Sequence, residues 1–225
     1  MYQYLLFDLD GTLTDPKIGI TSCVQHALKA FDIHVDNLDE LEPFIGPPLK
    51  DSFMEFYGLT PDEAMHAIDV YHERFDDIGI YENEIYPGIP ELLAHAKKVG
   101  CRIAIASSKP TYLVKRVLEY FHIDQYFDEV VGSEPYGVRG SKEEVVEEAL
   151  RRLVPEELLL ASSDTNRRKE MIAMIGDRKF DIQGAIAHGL TGIGVSYGYA
   201  PEGELKEAGA DIIADTVAEL ERMIL

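Results

Sequence analysis

The sequence has no apolar run of about 18 residues, the minimum expected for a membrane-spanning helix. It has only two cysteines, Cys23 and Cys101, which lie in apolar contexts without metal-ligand spacing. We therefore expect free, buried thiols in a reducing compartment. The N-terminus lacks a basic region before its first apolar residues, so no signal peptide is predicted. Together these absences predict a cytoplasmic protein.

Positive charge is also scarce. The sequence has 21 lysines and arginines but 41 acidic residues, which gives a formal net charge of −20. This charge disfavours nucleic acids and anionic membranes as partners. A small anionic substrate would need local positive charge from a metal ion or from a few basic side chains. The composition does not distinguish a monomer from a homodimer.

A short stretch near the N-terminus carries the strongest signal. Apolar residues 4 to 7 are followed by Asp8 and Asp10, and Gly11 then permits a sharp turn. We predict a first strand over residues 2 to 10, which would place both carboxylates on one face because side chains alternate. The two charges would repel each other unless a cation or a shared proton compensates. The carboxyl end of a buried strand is where open α/β sheets bind ligands.

The remainder divides into a helical insert and a β/α region. Residues 17 to 86 have apolar residues at helical spacing, including a helix start where Thr60 and Glu63 form a capping box. Beyond this insert, strand and helix patterns alternate, which predicts a parallel sheet covered on both faces. Strands are predicted at 101–106, 127–131, 171–175, 191–195 and 210–214, and helices at 89–99, 111–121, 141–153, 181–188 and the C-terminus.

Four segments resemble the motifs of the haloacid dehalogenase-like hydrolases, in the family's order. Asp8-Leu9-Asp10-Gly11-Thr12 has the pattern DxDGT, Ser107 closes an apolar strand, Lys142 opens a helix, and residues 176 to 181 read Gly-Asp-Arg-Lys-Phe-Asp. The resemblance covers nearly the whole chain and is greatest to phosphoglycolate phosphatases, β-phosphoglucomutases and small 5′-nucleotidases. It implies an α/β fold with a Rossmann-like core at 1–15 and 88–225 and an inserted all-α cap domain at 16–87.

The resemblance also implies a reaction, the Mg²⁺-dependent hydrolysis of a small phosphate monoester. Asp8 would be the nucleophile that forms an aspartyl-phosphate, and Asp10 the general acid and base. Asp8, the backbone carbonyl of Asp10 and Asp177 would hold Mg²⁺, which suits an all-oxygen ligand set. Asp181 would support the metal site or a lysine, or would be a helix N-cap.

Further residues would bind the phosphate or the leaving group. Ser107, or alternatively Ser108, would donate a hydroxyl to a phosphate oxygen, and Thr12 would contribute to substrate binding. Lys142 would be the fixed cation beside Asp8, although Glu143 follows it where the family often has proline. Lys50, after the stiff turn at residues 46 to 48, is the candidate for leaving-group recognition. The chain's other basic residues near the motifs, Lys109, Arg139 and Arg178, are expected to be solvated, and the seven histidines to be structural or exposed.

One segment departs from the family pattern. Residues 161 to 169 are polar and aperiodic, and they are expected to form an exposed, mobile loop that trypsin would cut first.

Several alternatives share these motifs. A phosphosugar mutase needs the same residues but shields the aspartyl-phosphate from water. A dehalogenase needs neither the acid at position 10 nor a metal, and a receiver-type phosphoacceptor would lack the helical insert. A catalytically silent binding protein is the remaining alternative. The substrate stays open among phosphoglycolate, nucleotides, sugar phosphates, pyrophosphate and phosphotyrosine.

Overall fold

The computed structural model describes residues 1–134, 139–161 and 165–225 of the chain. These residues form two compact units. The first unit comprises Met1–Leu13 and Ile85–Leu225, and the second comprises Thr14–Glu84.

The first unit contains a six-stranded parallel sheet in the order β5-β4-β1-β6-β7-β8. A separate two-stranded sheet is formed by β2 and β3. In chain order the strands are β1 Tyr4–Phe7, β2 Thr14–Asp15, β3 Glu84–Ile85, β4 Arg102–Pro110, β5 Glu129–Ser133, β6 Ile172–Gly176, β7 Thr191–Val195 and β8 Ile212–Ala214.

Helices cover both faces of the six-stranded sheet, as the sequence predicts. In the second unit the α-helices are α1 Lys17–Lys29, α2 Leu49–Tyr57 and α3 Pro61–Phe75, with 3₁₀ turns at Leu38–Phe44 and Gly79–Tyr81. In the first unit they are α4 Ile89–Lys98, α5 Thr111–Tyr120, α6 Lys142–Leu153, α7 Glu156–Ala161, α8 Thr165–Met171, α9 Lys179–Ala187, α10 Glu204–Glu207 and α11 Val217–Ile224, with a 3₁₀ turn at Asp124–Tyr126.

The core of the first unit follows from strand alternation. Leu6, Ala104 and Met174 come from β1, β4 and β6, point to one face of the sheet and pack against helix α6. Their strand neighbours, such as Phe7 and Ile105, are equally buried on the other face. Burying one large aliphatic or aromatic side chain contributes about 1.5–3 kcal/mol. Because both faces are buried, the strands read as continuous apolar runs, and the predicted Rossmann-like α/β class is confirmed.

The strand order creates a crevice at the centre of the sheet. Strand β1 pairs with β4 on one side and with β6 on the other. In open α/β sheets ligands bind outside the carboxyl ends of the strands, at the topological switch point where the strand order reverses. The segments that follow β1, β4 and β6 therefore meet at one place.

The second unit is helical between its two short strands. Helix α3 begins as predicted, with Thr60 accepting a hydrogen bond from the backbone of Glu63 and the Glu63 side chain returning to Thr60. Its core contains Phe44 and Phe53, which meet edge to face at a centroid distance of 5.0 Å. Gly79 packs so tightly that an added Cβ would lie 2.5 Å from the sulfur of Cys23, which excludes a side chain at position 79.

The polar segment at 161–169 is more regular than predicted. Helix α7 runs to Ala161 and helix α8 begins at Thr165, while residues 162–164 lie outside the described part of the chain. The expectation of an aperiodic loop is wrong for 165–169. Arg168 donates to the carbonyls of Leu159 and His188, and Lys169 pairs with Asp211 at 2.6 Å. These contacts are distant in sequence, so polarity alone could not reveal them.

Among the described residues, no helix is both long enough and apolar enough to cross a membrane.

Candidate active site

The first strand is shorter than the predicted span of residues 2 to 10, so the two acids after it do not belong to the strand. Strand β1 ends at Phe7, and Asp10 lies beyond its end. Asp8 stays at the sheet, where its amide donates to the carbonyl of Ile175 over 2.9 Å. Its Oδ1 accepts a hydrogen bond from the amide of Leu9 at 2.7 Å. The chain bends after Phe7, so the two carboxylates acquire different partners.

Lys142 is the partner of Asp8. It is the first residue of α6, whose N-terminus is fixed by a capping box between Ser141 and Glu144. The Lys142 ammonium lies 3.0 Å from Oδ1 of Asp8 and 2.8 Å from Oδ1 of Asp181. Burial alone would lower the pKa of Lys142, but the two carboxylates outweigh burial and raise that pKa above its usual value. The ammonium is therefore a permanent charge at this site.

Two further buried carboxylates follow β6. Asp177 is fully buried, and its Oδ2 accepts the amide of Tyr199 at 2.8 Å. Burial, with Asp181 and Asp8 nearby, raises the pKa of Asp177 well above its ordinary value. Asp181 lies inside α9, where its Oδ2 accepts the amide of Arg178 at 3.0 Å. Burial raises the pKa of Asp181 to about 6, with Lys142 opposing this rise.

Two glycines allow the backbone to approach Asp177 closely. Gly11 has a φ of +78°, and a Cβ there would lie 2.1 Å from Oδ2 of Asp177. A Cβ at Gly198 would lie 2.4 Å from the Asp177 Cβ and 2.4 Å from the carbonyl oxygen of Gly11. A side chain at either position would displace the carboxylate or the backbone around it.

The acids fit a divalent cation. Carboxylate oxygens of Asp8, Asp177 and Asp181 all lie within 4.8 Å of one another and are buried. Oδ1 of Asp177 is buried and has no hydrogen-bond partner among the described residues. An all-oxygen set with unpaired negative charge suits a hard cation. Asp181 is already engaged by Lys142 and by the amide of Arg178, which leaves Asp177 the better-placed ligand of the two.

Three residues with hydroxyl groups were predicted to bind the phosphate, Ser107, Ser108 and Thr12. Ser107 belongs to β4, which extends to Pro110 rather than ending at position 106, and it is buried. Ser108 is half-buried. Thr12 is fully buried, and its hydroxyl has no hydrogen-bond partner among the described residues.

Lys50 belongs to the second unit. It is the second residue of α2 and is exposed. Its predicted role in leaving-group recognition stays a prediction.

Three basic residues expected to be solvated are not. The side chain of Lys109 is only 7% exposed, and its ammonium lies 2.6 Å from Oδ2 of Asp10. Arg178 is buried against Glu204 at 2.9 Å, and Arg139 pairs with Glu134 at 2.6 Å. Asp10 and Glu204 lie 99 and 26 residues from their partners, so sequence spacing does not indicate these two pairs, whereas Glu134 is only five residues from Arg139. For Lys109 a signal existed, because it lies two residues after Ser107 and thus on the same side of an extended strand.

The sequence interpretation also missed the segment after β7. The hydroxyl of Tyr197 donates to the carbonyl of Thr12 at 3.0 Å, and its ring packs edge to face against Tyr86. Burial, with Tyr86 and Asp177 nearby, raises the pKa of Tyr197 above its ordinary value, so its hydroxyl stays protonated. The segment therefore fixes both the turn after β1 and the Asp177 carboxylate.

Known proteins are similar to this chain in sequence. The model of the haloacid dehalogenase-like hydrolase family matches residues 5–195. A 5′-nucleotidase of Pseudomonas aeruginosa is 43% identical over 205 residues, which cover 91% of this chain and 87% of that protein. A tyrosine-protein kinase, PtkA of Mycobacterium tuberculosis, is 34% identical over 97% of this chain and 71% of its own.

Solved structures agree with this relationship. The crystal structure of a predicted phosphatase from Clostridium acetobutylicum matches with a TM-score of 0.89 and 44% identity, covering 100% of this chain and 98% of that one. The family match spans most of the chain, from within β1 to the end of β7. The chain belongs to the haloacid dehalogenase-like hydrolase family and is an enzyme of its phosphatase group.

Proposed function

We propose that this chain is a Mg²⁺-dependent phosphatase that hydrolyses a small phosphate monoester through an aspartyl-phosphate on Asp8. One observation carries the proposal: the buried Asp8 carboxylate, at the central crevice of the sheet, has its Oδ1 3.0 Å from the Lys142 ammonium. A carboxylate fixed in this way is an oriented nucleophile beside a permanent positive charge.

In the first step, an oxygen of Asp8 attacks phosphorus and the bond from phosphorus to the ester oxygen breaks. Oδ1 is held by the Leu9 amide and by Lys142, so we assign the attack to Oδ2. Asp10 donates a proton to the departing oxygen, which leaves as an alcohol. Proton transfer of this kind contributes about 10²–10⁴-fold to a rate.

In the second step, water attacks the aspartyl-phosphate. Asp10, now ionised, removes a proton from that water, the bond between Asp8 and phosphorus breaks, and inorganic phosphate leaves. Asp10 ends the cycle protonated again. One group thus serves as acid and then as base, as a double displacement requires.

The phosphoryl oxygens need neutralising contacts in both steps. We assign Lys142 to the charge on Asp8 and the phosphoryl group, and the hydroxyls of Ser107 and Thr12 to the phosphoryl oxygens. Asp8, the Asp10 carbonyl and Asp177 would hold Mg²⁺, with Asp181 positioning Lys142. When bound, the ion supplies positive charge to the transferring phosphoryl group.

Substrate choice is assigned to the insert. The residues named above act on the phosphoryl group and on the ester oxygen, so the rest of the leaving group must be recognised elsewhere. We propose that residues 16–87 act as a cap domain and that Lys50 contacts the leaving group. The P. aeruginosa relative, a 5′-nucleotidase, makes 5′-nucleotides the first substrates to test.

The test measures phosphate release from 5′-nucleoside monophosphates, phosphoglycolate, phosphotyrosine, pyrophosphate and hexose phosphates, with Mg²⁺ and with EDTA. We expect turnover on at least one ester with Mg²⁺, none with EDTA, and recovery when Mg²⁺ is restored. Ca²⁺ should support little turnover because its larger and looser shell misplaces the phosphate. Unchanged turnover in metal-free buffer would contradict the metal assignment.

The same screen distinguishes a phosphatase from the alternative functions. A mutase would convert a hexose 1-phosphate into its 6-phosphate with little release of inorganic phosphate. A receiver-type phosphoacceptor or a binding protein would release at most one equivalent of product.

A further inference from the structure

The proposed reaction assigns no role to Lys109, whose side chain is largely shielded from solvent. Lys109 lies in β4, two residues beyond Ser107, and its ammonium is 2.6 Å from Oδ2 of Asp10. We propose that Lys109 is a positioning residue that holds the Asp10 carboxylate in the orientation needed for proton transfer. This inference rests on the proposed function, because it assumes that Asp10 is the acid and base.

The pair is shielded from water. The side chains of Lys109 and Asp10 are 7% and 11% exposed. An exposed ion pair of this type contributes about 0–1 kcal/mol, whereas a shielded, charge-assisted hydrogen bond orients both of its partners. Such burial indicates a fixed geometry, unlike that of a lysine which moves freely in solvent.

The two oxygens of Asp10 are in different situations. Oδ2 is held by Lys109, while Oδ1 is buried and has no hydrogen-bond partner among the described residues. A buried acceptor without a partner is costly, by about 1–3 kcal/mol, unless it meets a ligand. Lys109 thus fixes one oxygen and leaves the other for the leaving oxygen and then for water.

The backbone around Lys109 is itself held in place. The register between β4 and β5 shifts between Ala106 and Pro110, and such irregularities redirect side chains at the ends of strands. Gly132 of β5 makes room for this shift, because a Cβ there would lie 2.3 Å from the carbonyl oxygen of Lys109. The Gly132 amide also donates to the hydroxyl of Thr111 at 3.1 Å. The lysine therefore extends from an anchored backbone.

Each of the two carboxylates proposed to be catalytic is contacted by a different lysine. Lys142 contacts Asp8, and Lys109 contacts Asp10. Both carboxylates follow β1, whereas Lys142 opens the helix after β5 and Lys109 lies in β4, so each lysine fixes a carboxylate to another part of the sheet unit. Without Lys109, Asp10 could rotate about its side-chain bonds, and a displacement of about 1 Å can slow a reaction about 10²-fold.

The test is a double-mutant comparison between Lys109→Met and Asp10→Asn. Lys109→Met should lower kcat on an alkyl phosphate by about 10–100-fold and leave KM nearly unchanged. In the Asp10→Asn background, the same substitution should change kcat by less than about twofold, because a residue acting through Asp10 has nothing left to position. Losses that multiply in the double variant would overturn the proposal.

A second readout uses the leaving group. p-Nitrophenol leaves without a proton, whereas an alcohol needs one from Asp10. Rapid mixing should therefore show that Lys109→Met slows the first turnover of an alkyl phosphate but preserves the initial release of p-nitrophenol. Equal slowing of both, or an equal rise in KM for both, would mean that Lys109 binds the phosphoryl group instead.

Three controls keep these outcomes distinct. Lys109→Arg retains the charge and should recover much of the lost kcat, while Lys115→Met removes an exposed lysine and should have no effect. If Lys109→Met does not fold, the double variant, which leaves no carboxylate unpaired at position 10, is compared with Asp10→Asn alone. Failure of the proposed function is recognised separately, since Asp8→Asn would then retain turnover.

Discussion

The backbone amide of Tyr199 donates to Oδ2 of Asp177 over 2.8 Å. Because Oδ1 of the same carboxylate has no partner among the described residues, this bond fixes one oxygen and leaves the other to a cation. Gly198, the residue before Tyr199, makes the approach feasible, since a Cβ there would lie 2.4 Å from the Asp177 Cβ.

Gly198→Ala should weaken metal binding. The added methyl group must displace either the Asp177 carboxylate or the segment that holds it, so we expect at least about 10-fold weaker Mg²⁺ affinity by titration calorimetry and a matching loss of kcat. Gly192→Ala is the matched control, because its Cβ would meet neighbours only at ordinary distances of 3.4 Å or more. Equal Mg²⁺ affinity in both variants would refute the role of Gly198.

Lys142→Met should impair both catalysis and stability. Removing the ammonium takes away the charge beside the nucleophile, and we expect kcat to fall by about 10²–10³-fold. It also leaves Asp8 and Asp181 buried without their cation, which should destabilise the fold by about 3–5 kcal/mol in urea denaturation. Adding Asp181→Asn should recover part of the stability but none of the activity. Recovery of activity would show that Lys142 serves only the fold.

The metal-free protein should lose stability as the pH rises. The pKa values of Asp177 and Asp181 are raised in the folded state, so folding favours their protonated forms. This contribution is fully present below the ordinary aspartate pKa of 3.8 and is lost as the pH rises through about 6, the folded value for Asp181.

Thermal denaturation in EDTA checks this expectation. The melting temperature should fall between about pH 4 and about pH 7, and the fall should be smaller in the double variant Asp177→Asn/Asp181→Asn. Mg²⁺ should stabilise the wild type more at the upper end of this range, where its ligands are ionised. Identical pH profiles for the wild type and the double variant would contradict the raised pKa values.

Lys50→Ala should affect one class of substrate only. If Lys50 contacts an anionic or hydroxyl-rich leaving group, kcat/KM for that ester should fall by about 10–100-fold, while hydrolysis of p-nitrophenyl phosphate should barely change. Lys29→Ala, at another exposed lysine of the same unit, is the control. Equal losses on both substrates would mean that Lys50 contributes to catalysis or to the stability of the fold. No loss on either substrate would mean that Lys50 does not contact the leaving group.

Much of the site was predictable because its signals are local. Asp8 follows an apolar run, and Lys142 opens a helix whose capping box with Ser141 and Glu144 is readable three residues apart. Likewise, alternating strand and helix patterns predict the parallel sheet, because each element carries its own periodicity.

Other features depend on contacts that sequence spacing does not encode. Lys109 and Asp10 pair across 99 residues, and Tyr199 reaches Asp177 across 22. Strand β1 ends at Phe7, before both acids, although the sequence pattern predicts a strand through Asp10. In each case a tertiary contact, not local propensity, sets the geometry.

A rapid-quench labelling experiment can identify the nucleophile, which we assign to Asp8. An ester carrying a ³²P phosphate is mixed with enzyme and Mg²⁺, quenched in acid within the first turnover, and the labelled peptide is identified by mass spectrometry. Asp10→Asn should increase the trapped label by slowing hydrolysis, whereas Asp8→Asn should abolish it. We expect an acyl phosphate on Asp8; a label on any other residue, or turnover that persists in Asp8→Asn, would contradict its assignment as the nucleophile.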